Sequence, residues 1–409
     1  MLLEGDGVGR SVFRVQEGDV ATMGFLAASP SGGGFRHLSV RGNSSTGGNS
    51  HGIINVNIST DPVHLICENW LLEHLELCDL GSYGLGINNG DITNLRVNNV
   101  YIHNVGADGI DTKQRGPRKK NIGMNFSNII VDGFGMRLTG CAGLDFHGLG
   151  QVTNLTVRNM GLTSQTGFRM RTMDPTKEGE NARMSHASNI IIETTPANNG
   201  NIGAFIGSSD CVIQGAVARG VTDGFQLVGN SNGAPDRSVI SNAHAIDCAQ
   251  YGFFIGTGVS DVTLDSVYAI NCDTGFRNQG IRATYMRAVP INCTTKFSAA
   301  SISAPTERFI GSDTFGMTEY TSGSNKVVQE PRGEANDIEV LIKPKGTSSL
   351  SLMDGVGNRK VQVDQGGVSF NGSVPTGKMT LNAAATDAAT TTTLVNQIRT
   401  GLIANGLAQ

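Results

Sequence analysis

Short alternations of apolar and polar residues recur along most of the chain, and most of them open on glycine. The pattern is Gly, apolar, variable, apolar or small, variable. It reads Gly84-Leu85-Gly86-Ile87-Asn88, Gly109-Ile110-Asp111-Thr112-Lys113, Gly143-Leu144-Asp145-Phe146-His147 and Gly167-Phe168-Arg169-Met170-Arg171. It continues as Ala204-Phe205-Ile206-Gly207-Ser208, Gly224-Phe225-Gln226-Leu227-Val228, Gly252-Phe253-Phe254-Ile255-Gly256 and Gly275-Phe276-Arg277-Asn278-Gln279. A second alternation precedes most copies by 13 to 15 residues and opens on Asn. Its copies are Asn94-Leu95-Arg96-Val97, Asn128-Ile129-Ile130-Val131, Asn154-Leu155-Thr156-Val157 and Asn189-Ile190-Ile191-Ile192, with Asp261-Val262-Thr263-Leu264 as a late one. Period-two alternation marks a strand with one face buried. Two short strands at fixed phase therefore make one unit.

A unit this short cannot bury its own apolar face, whereas stacked units bury it continuously. The unit lengths and short strands predict an all-β solenoid, a right-handed parallel β-helix. Leucine-rich repeats need a recurrent Leu-x-x-Leu-x-Leu, which the chain does not sustain, and propeller blades need longer units. The first position after the repeat glycine points inward. Phe168, Phe205, Phe225, Phe253 and Phe276 are then expected to form one internal stack, a structural feature.

The repeat stops near residue 300. Residues 311–337 are rich in Gly, Ser, Thr and charge and read as a connector. Alternation returns at Ile338–Ile342, Leu350–Leu352, Lys360–Val363 and Val368–Phe370. A module of this size builds little core alone, so oligomerisation is its natural remedy. The tail offers Asp387 as an N-cap and Leu394, Ile398 and Leu402 at helical spacing; a short helix and a flexible end both fit it. The predicted domains are the β-helix (1–310), the connector (311–337), a small β trimerisation module (338–380) and a helical or flexible tail (381–409).

Composition narrows the function. The 409 residues include 55 Gly, only 16% are charged, and the formal net charge is -4. That balance argues against nucleic acid as a partner, and no apolar run is long enough to span a bilayer. No signal peptide is visible at the start. The seven cysteines are scattered with no Cys-x-x-Cys pair, which fits buried free thiols and folding in a reducing cytoplasm.

Against this low charge, the outward positions of three consecutive repeats carry six ionisable side chains: Asp111 and Lys113, Asp145 and His147, Arg169 and Arg171. Coils stack about 4.8 Å apart, so Asp111 and Asp145 are expected to face each other with Arg169 one coil further. Asp108 stands at the corner before Gly109. Two close carboxylates raise the pKa of one of them, which supplies a general acid near neutral pH. The long insertion after Lys113 holds Arg115, Arg118, Lys119 and Lys120 and is expected to wall a groove over the grid, with Arg115 and Lys119 contacting substrate. Taken singly, each charge reads as a solvated or structural residue; together they favour a carbohydrate site. Asp108, Asp111 and Asp145 are also oxygen ligands of the kind calcium takes, although the neighbouring cations argue against a dedicated metal site.

The fold and sequence style resemble the pectin-lyase-like β-helices, and among them bacteriophage tailspikes. Such proteins carry an upstream capping helix that is not seen before Leu3, so another chain or further residues are expected to cover that end. A narrower resemblance, to polygalacturonase-type glycoside hydrolases, rests on Ala107-Asp108-Gly109, Gly143-Leu144-Asp145, Phe146-His147-Gly148 and Arg169-Met170-Arg171. The order agrees with that family's motifs. The adjacent Asp pair is lacking, and Asp145 and His147 share one strand. These resemblances imply a homotrimeric phage tail protein, folded in the host cytoplasm, that binds and depolymerises a bacterial surface polysaccharide, capsule or O-antigen. Its partners would be that glycan, its own copies and other virion tail proteins, with neither nucleic acid nor membrane. Hydrolysis would use Asp145 or Asp111 as acid and Asp108 or the other aspartate as base or nucleophile, without a cofactor. His147, Lys113, Arg169 and Arg171 would orient substrate and stabilise charge. The alternatives are a polysaccharide lyase on a uronate-containing glycan, the case in which calcium would serve, and a non-catalytic glycan-binding fibre.

Overall fold

The structure, a computed structural model, describes residues 2–14, 25–26, 32–48, 50–54, 66–87, 91–112, 121–172, 183–194, 200–229, 233–299, 306–310, 350–353, 359–364 and 367–370. Two contact units divide at Pro331 and Arg332. In the first unit, the strands from Ile110 to Ile310 alternate strictly between two sheets along the chain. One sheet takes the long strands, among them Trp70–Leu80, Arg96–Val105, Asn121–Phe134, Leu149–Met160 and His186–Glu193. The other takes the short ones: Ile110–Asp111, Ala142–Phe146, Thr166–Arg171, Ile202–Gly207, Asp223–Leu227, Tyr251–Ile255, Thr274–Asn278 and Thr295–Ala299. Within each sheet every strand pairs in parallel with the strands one coil before and after it. Only a helical winding gives that order. The chain is a right-handed parallel β-helix, the hand that parallel crossovers of L-residues adopt.

The repeat glycine is required by the stacking. A Cβ on Gly143 would lie 2.6 Å from the carbonyl oxygen of Gly167 in the next coil, and one on Gly109 would lie 2.5 Å from that of Gly143. The residue after the glycine enters the core, where the register runs Ile110, Leu144, Phe168, Ala204, Phe225, Phe253, Phe276 and Phe297. Phe225 and Phe253 stack at 4.9 Å, Phe253 and Phe276 at 5.2 Å, and Phe276 and Phe297 at 4.9 Å. Phe205 is not in this stack. It pairs with Arg169 and Gln226 on the outer face, because Gly203, and not Ala204, is the repeat glycine of that coil. A slip of one residue moves a strand side chain to the opposite face.

The asparagine of the second pattern does not open a strand. Asn128, Asn154 and Asn189 sit inside the long strands with φ of 55° and bend each of them. Asn tolerates this left-handed conformation better than most residues. Its amide also runs from coil to coil: Asn154 Nδ2 donates to Asn128 Oδ1 at 2.8 Å, and Asn189 Nδ2 to Asn154 Oδ1 at 3.1 Å. Asn94 belongs to a separate bend with Asn69, to which it donates at 3.2 Å. Cys78, Cys141, Cys211, Cys248 and Cys272 are buried free thiols.

In the second unit Leu350–Met353, Arg359–Asp364 and Gly367–Phe370 form an antiparallel three-stranded sheet. The expected connector, the strand at 338–342 and the tail from 381 lie outside the described residues. Among the described residues no helix is long and apolar enough to cross a membrane.

Candidate functional site

The outer column of the short-strand sheet runs Gly86, Asp111, Asp145, Arg169, Phe205, Gln226, Phe254 and Arg277, one residue per coil. Asp111, Asp145 and Arg169 are therefore register neighbours, as the spacing predicts. The coil after them presents Phe205 and Gly207 outward, with Ala204 and Ile206 turned into the core.

Asp145 is the hub. Arg169 Nη1 donates to Oδ2 at 3.1 Å, Arg171 Nη2 to Oδ2 at 2.8 Å and Arg171 Nε to Oδ1 at 3.3 Å. His147 Nε2 lies 2.9 Å from Oδ1. The strand places Asp145 and His147 on one face with Phe146 turned inward, and the adjacent coil brings both arginines over the carboxylate. Although these positions face out of the helix, Asp111 and His147 are 0% exposed and Asp145 is 1% exposed. A closed knot stands where the sequence predicts an open grid, since two guanidinium groups and an imidazole fold onto one carboxylate. Asp108 is the most open of the three aspartates, at 7%.

Backbone hydrogen bonds hold the knot. Thr112 Oγ1 accepts the His147 N–H at 2.8 Å, and Thr112 N–H donates to the Asp145 carbonyl at 3.0 Å. Asn121 Nδ2 donates to the carbonyls of His147 at 2.8 Å and Thr112 at 3.0 Å. No sequence pattern marks Asn121, whose side chain ties together the Thr112 and His147 carbonyls of two adjacent coils. Lys113, Arg115 and Lys119 lie outside the described residues.

Electrostatics separate the aspartates. Burial pushes the Asp108 carboxyl up to about 7, and the negative charges of Asp111 and Asp145 add to this; the N–H of Ala142, which donates to Asp108 Oδ1, only partly opposes it. Burial acts the same way on Asp145, but His147 and Arg169, then Arg171, outweigh it and hold that carboxyl well below the usual range. The cations converge on Asp145, so the two carboxyls are shifted in opposite directions, Asp108 upward and Asp145 downward. The ligand atoms of Asp111, Asp145 and His147 lie within 4.8 Å of one another. Asp108, Asp111 and Asp145, the set expected for calcium, do not fit it: both oxygens of Asp145 are held by arginine, and Asp108 Oδ1 accepts the Ala142 N–H.

Fold and site together define a parallel β-helix with a buried Asp–His–Arg knot on the outer face of its short-strand sheet. No family model and no curated protein matches the chain. Among solved structures it is similar to the catalytic unit of a thermostable GH87 alpha-1,3-glucanase from Streptomyces thermodiastaticus, at 11% identity over 74% of this chain and 60% of that one, with a TM-score of 0.46. It is also similar to a mutant tailspike protein of E. coli bacteriophage HK620 in complex with pentasaccharide, at 11% identity over 75% of this chain and 59% of that one, with a TM-score of 0.43. A third is tailspike protein 3 of bacteriophage CBA120, at 11% identity over 87% of this chain and 57% of that one, with a TM-score of 0.30. The chain thus spans about three fifths of the length of the first two. At these identities the likeness is one of fold.

Proposed function

We propose that the protein binds a bacterial surface polysaccharide and cleaves it by glycosidic hydrolysis. The observation that carries this reading is the buried Asp108 carboxyl, held protonated up to about pH 7 beside ionised Asp145. A carboxyl that keeps its proton near neutral pH beside an ionised carboxylate supplies the general acid that this chemistry needs. Asp108 donates its proton to the glycosidic oxygen. Asp111 serves as base or nucleophile. Asp145 stays ionised, and its charge adds to the burial that keeps Asp108 protonated, while His147, Arg169 and Arg171 orient the sugar and balance charge. Lys113, Arg115 and Lys119 are proposed to reach the glycan from the adjoining insertion.

The burial of Asp111, Asp145 and His147 favours a second reading, in which the knot is structural and the protein binds glycan without cutting it. In either case we propose a phage tail protein that assembles as a homotrimer, with residues 338–380 as its trimerisation module and other virion tail proteins as further partners. Light scattering on the full chain tests the assembly: three subunits are expected.

Product analysis on purified capsule and O-antigen tests the chemistry. Hydrolysis yields new reducing ends without an unsaturated product. Unsaturated uronate would replace the reading with lyase chemistry, and binding without cleavage would select the structural one.

A further inference from the structure

The outer face of the long-strand sheet carries a polar site to which the Asp, His and Arg side chains of the knot do not contribute. One outward residue per coil lines up in register: Leu71, Arg96, Asn125, Gln151 and His186. With coils about 4.8 Å apart, this row runs about 19 Å along the helix axis. It lines a cleft of about 850 Å³, which falls in the range of built ligand sites, about 300 to 1,000 Å³.

The cleft is shaped by the backbone. The pairing of Asn121–Phe134 with Leu149–Met160 slips between Ile122 and Met124, immediately before Asn125. Such a bulge bends a strand and re-aims the side chains after it. Gly123, at the slip, has a φ of 72°, and a Cβ there would meet Asn94 Oδ1 at 2.6 Å. Trp70, the sole tryptophan of the chain, also lines the cleft. It is 7% exposed, and its buried indole N–H has no hydrogen-bond partner among the described residues. Met184 adds an apolar surface at 73% exposure.

The charge in the lining has one sign. Arg96 is a fixed cation, and no Asp or Glu lines the cleft among the described residues. Arginine recognises carboxylate, sulfate or phosphate oxygens with paired donors. The amides of Asn125 and Gln151 supply both donors and acceptors for hydroxyl groups. We propose that this cleft is a second glycan-binding site that holds an acidic oligosaccharide lengthwise along the helix without cleaving it. It stands independently of the proposed hydrolysis, because neither a carboxylate nor the residues of the knot contribute to it.

Saturation-transfer NMR and calorimetry on the full chain test this with three probes: a galacturonate hexamer, a sialic acid hexamer and neutral maltohexaose. At least one acidic hexamer should bind, and more tightly than maltohexaose. Arg96→Glu should weaken that binding by about tenfold or more, the loss of one charge-assisted hydrogen-bonding group. Gln151→Ala should weaken it less. Both residues are exposed, so melting temperatures should not move. Asp108→Asn should bind as the wild type does, which separates failure here from failure of the hydrolytic reading. The proposal is overturned if neither acidic hexamer binds, if maltohexaose binds as tightly, or if Arg96→Glu leaves affinity unchanged. A change of subunit number in Arg96→Glu would also overturn it, by making this face a contact between copies.

Discussion

Arg171 reaches back one coil to hold both carboxylate oxygens of Asp145, with Nη2 2.8 Å from Oδ2 and Nε 3.3 Å from Oδ1. With Arg169 and His147 on the same group, Asp145 is compensated on every side. Its removal is therefore expected to cost stability.

Asp145→Asn should destabilise the protein. It leaves the partly exposed Arg169 and Arg171 without their counter-ion, so the loss should fall below the about 3–5 kcal/mol that breaking a fully buried pair costs. Denaturant unfolding of the variant measures it. Wild-type stability in Asp145→Asn would mean that the arginines find other partners and that the knot contributes little to folding.

Asp108 and Asp145 should act on stability in opposite directions with pH. Asp145 is ionised in the folded chain below the pH at which it titrates when unfolded, near about 3.9. Its contribution is present above about pH 4 and drains as pH falls further. Asp108 keeps its proton up to about 7 when folded, but releases it near about 3.9 when unfolded. Stability should therefore fall as pH rises from about 4 to about 7. Asp108→Asn should flatten that slope in melting curves, and an unchanged slope would remove Asp108 as its source. Cleavage in the wild type should decline above about pH 7 as the acid is lost, and Asp108→Asn should abolish cleavage while glycan binding survives.

Phe225→Ala should cost about 3–5 kcal/mol, since the ring is fully buried and its removal leaves a cavity in the column. Phe205→Ala, on the outer face, should cost much less. Equal losses in thermal or chemical unfolding would contradict the register that separates the two rings.

Asn154 holds a left-handed bend and receives an amide hydrogen bond from Asn189 while donating one to Asn128. Asn154→Ala should lower stability by about 1–2 kcal/mol for the backbone conformation alone, with the ladder bonds in addition. Asn154→Gly should recover the backbone part. A variant Ala no worse than Gly would show that the conformation is not what selects asparagine.

The repeat period, the β-helix and the convergence of Asp111, Asp145 and Arg169 were legible in the sequence. A solenoid stacks equivalent positions by construction, so a residue's place in its own repeat fixes its neighbours in adjacent coils. The glycines were legible for the same reason, since each lies against the next coil's carbonyl. Where two phases fit equally, as at Gly203-Ala204-Phe205, pattern could not choose; backbone stacking did, and it sent Phe205 outward. Only the tertiary structure decided that the outward charges close into a buried knot. Side chains as long as Arg169 and Arg171 choose their partners by reach across coils, and no periodicity encodes that reach. The same holds for the Arg96 cleft: its row is spaced by coils of unequal length, 25 to 35 residues apart in the chain, and becomes a row only when the strands are in register.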